Sequence, residues 1–556
     1  MSALTLESLL NQRILVMDGG IGTMIKSYRL EEADFRGERF ANHKLDLVGN
    51  NDLLSITQPN IITEIHTAFL DAGSDIIETN TFNATSISQV NYGLEEIAYE
   101  LNYKATKLAR KAADIQTRKT PKKPRFVAGS LGPTNQTASL SPDWRDPSYR
   151  TINFDALVTA YNEALNGLIK GGVDLLLIET IFDTLNSKAA IYAIQKYFED
   201  HSLSLPIMIS GTITDASGKT LSGQVPEAFW ISVALSKPIS IGFNCALGAD
   251  ELHHHIQTIS DLVNVNVSVY PNAGHPNEFG EYDHTPQHMA SLICEFAESG
   301  LVNIVGGCCG STPDHIRAIA RAVSNKPPRL LPETLPYCQL SGLEPLNCNK
   351  WQGIICVEGL TNVSESTKFM ELIRENKFIE ALDIIQDQVR NGAQIIKIKI
   401  DDDKRDGEKL ITRILNLISA DPEISRLPVM LDSSKFSIIR AGLKCLQGKC
   451  MVNSISLKEG KKNLIANASE IHRYGAAVVV IAIDEDGPAD TYERMITIFH
   501  RTYKLLTKTI GFTPENIIFD INISPIANDF KEDKVLSRDI IKVVEKIKKV
   551  LPHVMF

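Results

Sequence analysis

Three cysteines occupy positions where packing alone gives no reason for a thiol. Cys245 closes the run PISIGFNC, and the adjacent pair Cys308–Cys309 is enclosed by glycines in GGCCG. Three thiolates are one ligand short of a closed structural zinc site, so the fourth position is open to a substrate, the catalytic arrangement. A vicinal disulfide is the alternative for the adjacent pair, against the redox balance of a reducing compartment. The other six cysteines, Cys294, Cys338, Cys348, Cys356, Cys445 and Cys450, read as packing residues. Two carboxylates, Asp18 and Glu179, also end apolar runs, and Asp18 opens the glycine loop DGGIGT. The carboxylates can take a substrate ammonium while loop N–H groups of Gly19 and Gly20 take a carboxylate. Together these residues describe an α-amino acid lying beside a zinc ion. The run His253–His254–His255 points around a helix and reads as a solvated face rather than a metal cluster.

Such residues must be brought to one place by the elements that carry them. Short β-rich runs alternate with segments of helical period through the first ~320 residues, the pattern of a parallel α/β fold. The runs end at Gly19, Phe82, Pro133, Thr180, Ile213, Cys245, Gly274 and Cys309, which makes eight strands. Helices are expected over Asn60–Ala72, Leu94–Ile115, Phe154–Lys170, Glu227–Leu235 and His288–Ser299. Eight βα units in series predict a (β/α)8 TIM-type barrel, whose active sites lie at the C-terminal ends of the strands. Those ends carry Asp18, the Glu78–Thr79–Asn80–Thr81 run, Glu179, Asn244–Cys245, Asn272 and Cys308–Cys309.

The segment from about Asn325 to Lys350, rich in Pro and Leu, has no sustained period and reads as an ordered linker. A second βα series follows with strands GIICVEG, QIIKIKI, LPVMLDS, MVNSISL, AAVVVIAI and IIFDINI, and helices over Lys368–Asn391 and Lys534–Lys549. The final LPHVMF reads as the opening of a seventh strand, so the fold class is α/β with two TIM-type barrels in tandem. The second is incomplete at its C-terminal end. The expected domains are residues 1–325, a linker at 326–350, and residues 351–556. The 556 residues carry a net charge of −10 and are 43% hydrophobic, which excludes wholesale disorder. The acidic balance argues against binding nucleic acid or an anionic membrane by bulk charge. No apolar run reaches the ~18–20 residues of a membrane span. The start MSALTLESLLNQRILVMDGG lacks a basic n-region, which makes a cytoplasmic location the expectation.

The runs LVMDGGIGTMIKSYRLEEADFRGERF, IIETNTFNATSI, SGTITDASGKTLSGQ, GFNCALGADEL, YPNAGHPNEFGEYD and NIVGGCCGSTPDHI resemble the homocysteine-binding barrel of cobalamin-dependent methionine synthases. The resemblance implies Cys245, Cys308 and Cys309 as zinc ligands, with Asn272 as a fourth when substrate is absent. It implies Asp18, Gly19, Gly20, Thr81 and Glu179 as homocysteine contacts. A free thiol with pKa about 8.5 is mostly protonated at neutral pH, and zinc coordination delivers the thiolate. The implied activity is a methyltransferase in which that thiolate accepts a methyl group, from methylcobalamin and ultimately methyltetrahydrofolate, to form methionine.

The second half resembles the methyltetrahydrofolate-binding barrel of the same family through NGAQII, LPVMLDSSKF, VNSISLKEG and PENIIFD. This implies tetrahydrofolate as a ligand of Thr361, Asn362, Asp432, Asn453, Asp484 and Asn522. The family's D-I-N-M-D is Lys397–Ile398–Lys399–Ile400–Asp401 here, its G-E-R-T-N is Glu358–Asn362, and its F-D-P-N is Phe519–Asn522. Replacing an acid and an amide by two lysines inverts the charge offered to the pterin and predicts weak folate binding. No D-x-H-x-x-G cobalt-ligating motif occurs, so methylcobalamin would come from a module in another chain or outside this sequence. Two other readings stand beside this one. One is a stand-alone zinc homocysteine methyltransferase using S-methylmethionine or betaine, and the other is a non-catalytic remnant of a methionine synthase.

Overall fold

The structure, a computed structural model, describes residues 5–556 apart from 216, 279, 281, 334–335, 350–352, 360–362, 402–405 and 522–532. The chain divides into two compact units, Met1–Ala138 with Thr151–Thr334, and Ser139–Arg150 with Leu335–Phe556.

Eight short strands build the first unit: β1 (Leu15–Val16), β2 (Ile76–Glu78), β3 (Phe126–Leu131) and β4 (Leu175–Ile181), then β5 (Ile207–Gly211), β6 (Ser240–Asn244), β7 (Asn266–Tyr270) and β8 (Ile304–Val305). They follow the eight predicted runs, and each is parallel to its neighbours in the order β1-β8-β7-β6-β5-β4-β3-β2. A parallel bridge between Met17 and Ile76 joins the two ends and closes the barrel. The strands read as continuous apolar runs because both faces are covered, as in Leu175–Leu177. Helices on the outside have ordinary boundaries. Pro59 opens the helix Pro59–Ala72, which ends at Gly73 with φ 122°. The Asn153 side chain caps Phe154–Gly171 by accepting from the Ala156 N–H. Leu6, Leu9 and Leu10 of the first helix plug the barrel interior against Leu15, Leu175 and Met208.

The closing seam lies between a two-residue and a three-residue strand, β1 and β2, and rests on Asp75, whose side chain is fully buried. Its carboxylate accepts the Val16 N–H at 3.0 Å and both terminal nitrogens of Arg13 at 2.8 Å, with Lys123 Nζ at 3.3 Å. Its own N–H donates to the Val16 carbonyl at 2.7 Å.

In the second unit a hairpin of β9 (Cys338–Ser341) and β10 (Pro345–Cys348) precedes the sheet. The linker expectation therefore needs correcting in part, because four-residue strands are too short to show a period. Cys338, Leu340 and Cys348 pack against Ile395, Met430 and Met451, an apolar plug like that of the first barrel. The sheet holds β11 (Val357–Gly359), β12 (Ile395–Lys399), β13 (Val429–Asp432), β14 (Met451–Ile455) and β15 (Ala477–Ile481). A two-stranded ribbon, β16 (Ile483–Asp484) and β17 (Gly487–Pro488), precedes the sixth sheet strand β18 (Ile517–Asp520). All five neighbouring pairs of the sheet are parallel, and the predicted seventh-strand opening pairs through Met555 with Ile518. The second barrel is thus open. The predicted helix Lys368–Asn391 is two helices, Val363–Arg374 and Phe378–Arg390. Asn376 breaks it by taking φ 61°, and the Lys377 N–H turns back to the Leu372 carbonyl. Among the described residues no helix is long and apolar enough to cross a membrane.

Removing the seam carboxylate leaves the Val16 N–H and two cations without their buried partner. Asp75→Ala is expected to destabilise the first unit by about 3 kcal/mol, read as a lower midpoint in urea unfolding followed by circular dichroism.

Candidate metal centre and amino-acid site

β6 delivers Cys245 and β8 delivers Cys308 and Cys309, with β7 between them. The three Sγ atoms all lie within 4.8 Å of one another, and Cys245 Sγ is 3.8 Å from Cys309 Sγ. No disulfide links them. Cys245 and Ala246 take left-handed backbone, φ 60° and 55°, which turns the first thiol back toward the pair. From β7, the Pro271 carbonyl accepts the Cys308 N–H at 2.8 Å and Asn272 Oδ1 accepts the Cys309 N–H at 3.1 Å. The oxygen expected to serve as a fourth zinc ligand is therefore engaged in holding the cysteine loop. The GGCCG glycines make room for protein rather than for an ion. A Cβ on Gly307 would lie 2.4 Å from Ser311 Oγ, and one on Gly310 (φ +81°) 2.3 Å from Tyr282 Cγ. Hydrogen bonds from Cys245 and Cys308 push Cys309 down to about 3, while donation to Cys245 and Cys309 pushes Cys308 well up. Three sulfurs converging within 4.8 Å suit a soft, thiophilic cation. The donor set fits zinc, which Cys245, Cys308 and Cys309 would hold.

Beside the sulfurs stand three carboxyl groups, one more than sequence reasoning assigned. Asp18 is 2% exposed; its Oδ2 accepts the Glu78 N–H at 3.0 Å, and its buried Oδ1 has no partner. Glu179 is 3% exposed, accepts from Ser130 Oγ, and shares a side-chain hydrogen bond with Glu78. Burial raises all three, with mutual repulsion adding to Glu78, and Glu179 reaches about 7. A buried carboxyl set with an unpartnered oxygen is chemically suited to a cation. Glu78 stood among the strand-end residues with no role assigned to it.

Two expected contacts have other partners. Thr81 Oγ1 donates to the Ser130 carbonyl at 2.7 Å and lies 2.7 Å from Thr79 Oγ1, bracing β2 on β3. The Gly20 N–H donates to Ser311 Oγ at 3.2 Å, so it is not offered to a substrate carboxylate in this arrangement. Gly19 packs closely on Phe69 and Ser311. Among the histidines, His254 is exposed and His253 stacks on Phe296 at 5.1 Å. Of the cysteines expected to pack, Cys338, Cys348, Cys445 and Cys450 are buried and Cys294 is half-buried. Cys356 departs from that expectation. It is exposed, because it leads into the edge strand β11.

In the second unit Lys397 Nζ lies 2.7 Å from Asp432 Oδ2, and Asn453 Nδ2 donates to the same oxygen at 3.2 Å. Burial raises the Asp520 carboxyl, which also faces Lys397. Asp484 is paired with Arg494 Nη2 at 2.6 Å. Thr361, Asn362 and Asn522 lie outside the described residues. A cavity of about 380 Å³ is bordered by Lys399, Asp401, Asp432 and Asn453. Asp432 already has an internal cation, Lys397, in place of ring N–H donors, so the described residues do not fit tetrahydrofolate.

Two outcomes follow. The Glu179 carboxyl must ionise to hold an ammonium, so homocysteine affinity should rise as pH rises through about 7. Below that value it should fall by up to about tenfold per unit, and Glu179→Gln should flatten the profile in direct binding measurements. Calorimetry with methyltetrahydrofolate should give no saturable heat at micromolar concentration, because Lys397 neutralises Asp432.

The sequence profile of the homocysteine S-methyltransferases matches residues 15–323, and that of the pterin binding enzymes matches 358–555. Similar solved structures include the homocysteine methyltransferase MmuM from Escherichia coli in its metallated form, 22% identical. The match covers 56% of this chain and 96% of that one, with a TM-score of 0.44. Its apo form is 21% identical, covering 58% and 98%, with a TM-score of 0.42. The two profile matches correct the resemblance to cobalamin-dependent methionine synthase. They support a homocysteine S-methyltransferase segment joined to a pterin-binding-type segment, and nothing in them points to cobalamin. Among the runs that carried the resemblance, GFNC and GGCCG supply the three clustered cysteines and carry no information about the methyl donor. With more than half of its length matched, the chain belongs to the homocysteine S-methyltransferase family.

Proposed function

We propose that this homocysteine S-methyltransferase takes its methyl group from a small onium compound, S-methylmethionine or betaine. The observation that carries the reading is the convergence of Cys245, Cys308 and Cys309 beside Asp18, Glu78 and Glu179. Zinc on the three thiolates would supply the chemistry of lowering the pKa of the homocysteine thiol. Asp18 and Glu179 bind the ammonium. The thiolate sulfur forms a bond to the donor methyl carbon as the carbon–onium bond breaks. The leaving group departs as a neutral thioether or amine, and the thiol proton goes to solvent. A site lined by carboxyls and thiolates favours a cationic donor, since opposite charges attract strongly where water is excluded. This supports an onium donor over a neutral or anionic one.

The test is methionine formation by the full chain, loaded with one zinc per chain, from homocysteine and each donor separately. Turnover with S-methylmethionine or betaine is expected, and Cys308→Ala should abolish both zinc retention and turnover. A zinc-loaded chain that turns over neither onium compound overturns the assignment of donor.

A further inference from the structure

Asn244 ends β6, is fully buried, and uses both ends of its amide. Its Oδ1 accepts the Thr180 N–H at 3.1 Å and Ser210 Oγ at 2.7 Å. Its Nδ2 donates to Thr180 Oγ1 at 2.8 Å and reaches Cys308 Sγ at 3.9 Å. One side chain thus touches the ends of β4, β5 and β6 and the cysteine loop after β8. The residues it ties down are held in unusual backbone. Thr180 has φ 52° and Cys245, its own successor, has φ 60°. Left-handed backbone is rare for a β-branched residue and persists only where surrounding bonds over-determine it. Thr180 directly follows Glu179, which stands at the ammonium end of the amino-acid site, and Cys308 stands at the metal end.

We propose that Asn244 is a positioning residue that fixes the span between the ammonium site and the thiolate site. It thereby selects a thiol amino acid with homocysteine's chain length over cysteine, which is one methylene shorter. The inference rests on the zinc and homocysteine reading above. Asn244 touches neither substrate nor the reacting carbon, so it acts through Thr180, Cys245 and Cys308. Its donation to Cys308 places it among the outer partners that orient metal ligands, whose loss typically lowers metal affinity by about 10–100-fold. A single methylene is worth roughly 10–200-fold in discrimination when the site is rigid.

The experiment compares wild type with Asn244→Ala and Asn244→Asp in the full chain. The aspartate keeps both acceptor bonds, to the Thr180 N–H and Ser210, and loses the donations to Thr180 Oγ1 and Cys308, which keeps the test alive if the alanine variant does not fold. Folding is checked by circular dichroism, zinc affinity by competition with a chelating dye, and selectivity by the ratio of homocysteine to cysteine dissociation constants. A folded variant should bind zinc about 10–100-fold more weakly and lose at least about tenfold of that ratio. A folded variant with unchanged zinc affinity and ratio overturns the role of Asn244 while wild-type zinc uptake leaves the function standing. Weaker zinc binding with an unchanged ratio also overturns it, because the span is then set elsewhere. A wild-type chain that takes up no zinc overturns the inference and the function together.

Discussion

The chemistry of the first unit depends on a seam between a two-residue strand and a three-residue strand. Such a short pair has little ladder of its own, and the buried Asp75 carboxylate compensates by accepting from the β1 backbone and from Arg13 and Lys123. A buried charge is costly unless its lone pairs are filled, and here they are filled from both sides of the seam. β1 leads into Asp18, β2 carries Glu78, and β8 beside β1 leads into the cysteine pair. If the seam opened, the carboxyls would part from one another and from the sulfurs. A bond at the far end of the strands therefore sets the geometry of the rim.

At that rim the protein concentrates groups that disfavour one another. Three carboxyls raised by burial and three clustered thiols would be a poor core if nothing were bound. The arrangement makes sense as a receptor for two cations, a metal on the sulfur side and an ammonium on the carboxyl side. An amino acid with a side-chain thiol carries the ammonium and supplies the last sulfur donor. The unfavourable self-interaction is thereby converted into selectivity for that substrate class.

The eight strands were legible because parallel strands covered on both faces appear as unbroken apolar runs. The zinc cysteines were legible because adjacent thiols at a strand end have no packing rationale. What sequence could not give was the partner of each polar group. Asn244 and Glu78 looked like any strand-end residues until Thr180, Cys308 and Glu179 came next to them from 64 and 101 positions away. Thr81 and Gly20 looked available, and the fold had assigned both to Ser130 and Ser311. The break at Asn376 was hidden inside a continuous helical period, because one left-handed asparagine leaves the apolar pattern intact on both sides. The family resemblance led to too narrow a conclusion for a related reason. Its motifs encode how a thiol is activated, whereas the identity of the methyl donor is written in surfaces that those motifs do not include.

Three cysteine sulfurs within 4.8 Å of one another form a ligand set whose preference for copper exceeds its preference for zinc. Nothing in the cluster itself discriminates by affinity, since soft thiolates bind the more thiophilic ion more tightly. Correct metallation then depends on how scarce free copper is kept around the folding chain. Cadmium and mercury would enter by the same rule, because the softness that suits the cluster to activating a thiol also suits it to those ions.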